Sequence, residues 1–105
     1  MTNFEWPERV TLELRAYAYK NAVFGNRRTC PVAKTAMEFF PSEETCCYAV
    51  EGGDHIRFID ALGDEIVRYD HDKFGESDFD KDHSRASYHR FGGTIIRKIV
   101  LTRKH

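Results

Sequence analysis

The sequence predicts an α+β fold in which one or two N-terminal helices pack on a mainly antiparallel sheet of about four strands. Three observations predict it. A proline-led amphipathic segment runs from Cys30 to Pro41, three short β-prone runs between residues 45 and 70 are separated by glycine turns, and the chain closes on TIIRKIVLTRK, rich in Ile and Val. At 105 residues, 41% hydrophobic and 13% aromatic, the chain suffices for one core, so residues 1–105 are expected to form a single domain.

Pro7 suits the first turn of a helix, where its missing N–H is not needed, and Glu8 suits the positive helix end. With Gly25-Asn26 as a left-handed cap, the segment predicts a helix over residues 7 to 24. The same residues support a strand over residues 9 to 19. Val10, Leu12, Leu14, Ala16 and Ala18 alternate with Thr11, Glu13, Arg15, Tyr17 and Tyr19, which is the period of a half-buried pleat.

The second helix has clearer limits. Cys30 stands at the N-cap and Pro31 at the first helical position, and Pro41 stops the run. Val32, Ala33, Ala36, Met37 and Phe40 form its buried stripe. From Thr45 onward TCCYAV, HIRFID and EIVRYD, separated by EGGD and ALGD, predict an antiparallel meander. Ile56 and Phe58 share one face of its middle strand; His55, Arg57 and Ile59 share the other. In the last strand Ile95, Ile99 and Leu101 fall on a face with Arg97, and Ile96, Lys98 and Val100 on the opposite one, so neither face is cleanly apolar. Between meander and last strand lies HDKFGESDFDKDHSRASYHRFGG, read as a long charged excursion.

Net charge is −1, without the basic excess that drives nonspecific nucleic-acid binding. The distribution is uneven. Residues 64–82 carry eight acids and three bases, whereas residues 83–105 carry six bases and no acid. Facing each other in the fold, the two blocks neutralise; presented together at the surface, they make a bipolar patch. The start MTNFEWPERV has no basic run followed by an apolar one, and no segment is apolar over the length a membrane span needs. A cytoplasmic protein without a membrane partner is expected. Three cysteines are too few for a stapled scaffold, and reduced thiols are expected.

Motif by motif, the chemistry thins out. Asp78, Asp80 and Asp82 have the spacing that opens an EF-hand loop, but His83 stands where glycine is needed and His89 where the bidentate glutamate is needed. His71, His83 and His89 lack the spacing of a metalloprotease helix. Cys46 and Cys47, adjacent on an extended segment, point apart, so one is expected in the core and the other half exposed. Cys30, at a helix N-terminus, is either a cap or an activated thiol, and no cysteine-enzyme signature surrounds it. No metal, cofactor or catalytic residue is expected.

What remains is a binding surface. Phe74, Phe79, Tyr88 and Phe91 are interspersed with charges, and aromatics with arginine anchor protein interfaces. The expected contact residues are Asp72, Phe74, Glu76, Asp78, Phe79, Asp80, Asp82, Arg85, Tyr88 and Arg90. The expected function is a small non-enzymatic binding protein that occupies the surface of a protein partner, such as a nucleic-acid-binding complex whose basic surface the acidic stretch engages as phosphate would. One concrete form is a phage or mobile-element inhibitor of a host nucleic-acid-handling (defence) complex. The sequence leaves room for a homodimer through an open sheet edge. The alternative is a small nuclease or toxin, with His83 or His89 exchanging protons, Asp80 or Asp82 orienting them, and Arg85, Arg90 or Arg97 holding phosphate.

Overall fold

Alternation decides the first element. In a helix Leu12 would stand about 200° round the axis from Val10; in a pleat Val10, Leu12 and Leu14 share one face, and all three are buried that way in strand β1 (Arg9–Arg15). The helix expected over residues 7 to 24 is thus replaced by a strand and one helical turn, α1 (Ala16–Tyr19). The computed structural model describes residues 4–20, 22, 26 and 29–105, so Gly25 of the expected cap lies outside the described residues.

Helix α2 (Pro31–Phe39) forms as its sequence dictates: the Cys30 sulfur accepts the Ala33 N–H at 3.4 Å, and Val32, Ala33, Ala36 and Phe40 are buried. After Pro41 comes a single turn, α3 (Ser42–Thr45), which Cys46 ends in the left-handed conformation at φ 58°. That turn takes Thr45 and both neighbouring cysteines out of the expected first strand of the meander. The strands are β2 (Tyr48–Glu51), β3 (His55–Ile59) and β4 (Glu65–Asp70). Gly53 and Gly63 supply the positive φ that their turns require.

The largest departure is in residues 71–93. Instead of an irregular excursion, the segment holds a helix of 12 residues, α4 (Glu76–Ser87), followed by β5 (Ile95–Arg103). The sheet has five strands rather than four, antiparallel throughout, in the order β1-β5-β4-β3-β2. Helix α2 contacts both β1 and β2, the two sheet edges, so the sheet curls around it. Phe40 sits in the hollow, its ring 5.1 Å from Phe58, 5.3 Å from Trp6 and 5.9 Å from Tyr69 between centroids. Burying a ring of this kind stabilises by about 1.5–3 kcal/mol.

The two-faced reading of β5 resolves through a bulge. Leu14 pairs with Arg97 and Arg15 with Ile95, so Ile96 is an extra residue and the inward phase slips by one. Ile96, Ile99 and Leu101 are therefore all buried, while Ile95 turns outward, against the expected grouping.

Strands β4 and β5 pair at Tyr69 with Arg103 and Asp70 with Thr102, whereas the β1–β5 ladder runs from Arg9–Thr102 to Arg15–Ile95. The β1–β5 ribbon thus overhangs the end of β4, giving an elongated body of 43 × 24 × 23 Å. Helix α4 packs beside the overhang, against β5 and α1. Among the described residues, no helix is long and apolar enough to cross a membrane.

Candidate binding surface and cleft

Helix α4 is fixed at its start by its own third residue. The Asp78 carboxylate accepts the Gly75 N–H at 3.0 Å, and the Phe79 N–H reaches the Gly75 carbonyl at 3.0 Å. Phe74, just before it, is buried with the Arg97 guanidinium 5.5 Å above its ring centroid. The inward stripe of α4 is Phe79, Asp82 and the half-buried Ala86.

Asp82 is a buried carboxylate with a complete set of partners. It accepts the Tyr19 hydroxyl at 2.8 Å, Arg97 Nε at 2.5 Å and Arg97 Nη2 at 3.2 Å, tying α1, α4 and β5 together. Asp78 stands 3.6 Å from the same guanidinium. The Asp82 bond is the main cause that keeps Arg97 charged beyond its ordinary range, while burial, reinforced by Asp82, pushes the Tyr19 phenol up. The acidic and basic blocks of the sequence do meet, at this point.

The turn after α4 is clamped to the far end of β1 and to α1. Ala16 N–H donates to the Thr94 carbonyl at 2.8 Å, Tyr17 N–H to Gly92 at 2.9 Å, and Arg15 Nη1 to Gly93 at 2.5 Å. Gly92 suits the close approach, since a Cβ there would lie 3.2 Å from the Tyr17 Cβ and press that side chain back by a few tenths of an ångström. Held this way, the turn projects Tyr88 and Phe91 into solvent, 85% and 74% exposed.

Between α1, the C-terminal half of α4 and this turn lies an open cleft of about 540 Å³. Tyr17, Tyr19, Lys20, His83, His89 and Arg90 line it, with small residues between them and no carboxylate among the described residues that line it. Tyr19 is locked by Asp82, Tyr17 donates its hydroxyl to Glu38, and the His83 ring lies 5.6 Å from Phe79 between centroids.

The expected contact residues separate into three groups. Asp72, Glu76, Asp80, Arg85, Tyr88 and Arg90 are exposed, and Asp78 is partly so. Phe74, Phe79 and Asp82 are buried and serve the core, because α4 folds their side of the segment onto the β1–β5 overhang. Tyr17 and Lys20 were missed; they stand more than sixty positions from His83, and nothing in the sequence joins the two.

Of the nuclease ingredients, His83, His89 and Arg90 do share the cleft. Asp82 is turned away from them to Tyr19 and Arg97, and Arg85 Nη1 bonds the Ile96 carbonyl at 3.4 Å. His71 lies elsewhere, buried at the end of β4, its Nδ1 2.6 Å from the Asp72 carbonyl and its Nε2 3.6 Å from Glu51. Cys30 is a helix cap whose thiol burial pushes up to about 11, the opposite of an activated nucleophile. Cys47 is buried and Cys46 exposed; both follow the α3 turn, Cys46 as its left-handed cap, and neither lies in a strand. Among the described residues, no group of three or more His, Cys, Asp or Glu is placed to hold a metal ion. Comparison with protein-family models, curated proteins and solved structures yields no match, and the site is read from its own geometry.

Proposed function

We propose that the protein is a non-enzymatic binding protein that occupies the surface of a protein partner through the outer face of α4 and the turn that follows it. The observation that carries this reading is the pair Tyr88 and Phe91, two large aromatics held in solvent by a turn that three hydrogen bonds clamp to the body. Exposed aromatics on a rigid support lose little conformational freedom on binding, which favours them as anchors. Arg90 stands between them, and Asp72, Glu76 and Asp80 extend the surface as an exposed acidic end.

A partner with a basic, nucleic-acid-handling surface suits the acidic end, since carboxylates meet the same cations that phosphate does. A phage or mobile-element inhibitor of a host defence complex is the concrete form of this reading. The test is affinity capture with the full chain as bait, at low and moderate salt, beside a Tyr88→Ser/Phe91→Ser variant. A stoichiometric protein complex that survives moderate salt and is lost in the variant supports the proposal. Equal capture by both sinks the assignment of the surface, and self-association alone, read as a dimer by size, replaces the foreign partner with a second copy.

A further inference from the structure

We infer that the cleft between α1 and α4 is a binding site for a small phosphorylated ligand with a planar ring, of the size and chemistry of a nucleoside monophosphate. The cleft borders the turn and shares Arg90 with the partner surface, but Tyr88 and Phe91 do not line it, and its test needs no partner.

The argument begins with charge. Lys20 and Arg90 bring two cationic side chains to the cleft, and His83 and His89 each add an imidazole ring able to offer an N–H. The chain has as many acids as bases to within one, yet none of the described residues lining the cleft is a carboxylate. The four groups come from α4, the end of α1 and the turn before β5, so folding gathers them from distant parts of the chain. Such a set attracts a compact multivalent anion, and Arg with Lys is the usual pairing around phosphate.

Shape supplies the rest. A volume of about 540 Å³ lies within the range of small-molecule sites and is far more than a bare phosphate occupies. Tyr17, 44% exposed, forms the accessible wall, and Tyr19, 1% exposed, backs it from beneath. Both are held before any ligand arrives, Tyr19 through Asp82 and Tyr17 through its hydroxyl to Glu38 and its N–H to Gly92. A fixed aromatic wall beside cations accepts a base by stacking while the phosphate meets Arg90 and Lys20. Glu38, which accepts the Tyr17 hydroxyl, places a carboxylate beside that ring and disfavours phosphate at that point.

The experiment is calorimetric or NMR titration of the full-length protein with adenosine 5′-monophosphate, adenosine and inorganic phosphate at low salt. The expected result is saturable binding of the monophosphate, weaker binding of the other two, and a loss of about tenfold in Arg90→Gln and in Lys20→Gln. Arg9→Gln, which removes an exposed cation at the opposite end of β1, should bind as the parent does. The inference is overturned if adenosine binds as tightly as its monophosphate, if Arg90→Gln and Lys20→Gln bind unchanged, or if none of the three probes saturates by about 10 mM. Inorganic phosphate binding as tightly as the nucleotide would remove the ring from the site and overturn the nucleotide assignment.

Discussion

Asp82 Oδ2 and Arg97 Nε stand 2.5 Å apart, joining α4 to β5 through a carboxylate that is 2% exposed and a guanidinium that is 32% exposed. A buried carboxylate is costly unless fully partnered, and this one is satisfied by Arg97 and Tyr19. The pair fixes both the floor of the cleft and the position of α4.

Breaking that arrangement should therefore cost more than its surface neighbours suggest. Asp82→Asn keeps the shape but removes the charge opposite Arg97, and a loss of about 2–4 kcal/mol is expected, below the fully buried range because Arg97 is partly solvated. Tyr19→Phe removes one hydrogen bond to a charged acceptor and should cost about 1.5–3 kcal/mol. Urea denaturation followed by Trp6 emission measures both. An Asp82→Asn variant as stable as the parent would refute the structural role given to the pair.

The acidic face can be separated from the acidic core. Asp72, Glu76 and Asp80 are exposed, so replacing all three by their amides should change stability by no more than about 1 kcal/mol while weakening partner capture and its dependence on salt. Adding Asp82→Asn to that set should lower stability by a further amount of about 2–4 kcal/mol. Capture unchanged in the triple variant would remove the acidic end from the binding surface.

His71 gives the fold a pH dependence whose sign is fixed. Burial works against its charged form, but the Glu51 carboxylate and the Asp72 carbonyl outweigh it, and its pKa is raised. A raised value means the folded state holds the proton more tightly than the unfolded chain. The stabilisation is therefore fully present below the unfolded value of about 6.5 and is lost as pH rises through the folded value. The melting temperature should fall from pH 6 to pH 8, and the fall should shrink in Glu51→Gln. A melting temperature with the same pH profile in parent and variant would show that the pair is not coupled to folding.

How much of this was legible depended on where the physics is local. Helix α2 could be read because Cys30, Pro31 and Pro41 mark its ends within twelve residues, and β3 because Ile56 and Phe58 alternate cleanly. Strand β1 is ambiguous in the sequence because Pro7 and Gly25 resemble helix punctuation, whereas the alternation of Val10, Leu12 and Leu14 points to the pleat. Helix α4 was missed for a specific reason. Its inward residues, Phe79, Asp82 and Ala86, have helical spacing, but the middle one is a carboxylate that only Arg97 and Tyr19 make buriable. The bulge at Ile96 hid the inward face of β5 in the same way, because it shows only in the register with β1.

The thiols offer a test of the fold that needs no partner. Cys46 is exposed, whereas Cys30 and Cys47 are buried, and burial raises the pKa of both buried thiols. Since the thiolate is the reacting species, the native protein should modify one thiol rapidly with an aromatic disulfide reagent at pH 8 and the other two only as the chain unfolds. Denaturant should bring the fast-reacting count from one to three. Cys46 also holds the left-handed conformation at φ 58°, which a side chain disfavours and glycine does not. Cys46→Gly should therefore remove the fast phase and leave stability unchanged or raised by up to about 1 kcal/mol, and a fast phase that survives the substitution would place Cys30 or Cys47 at the surface.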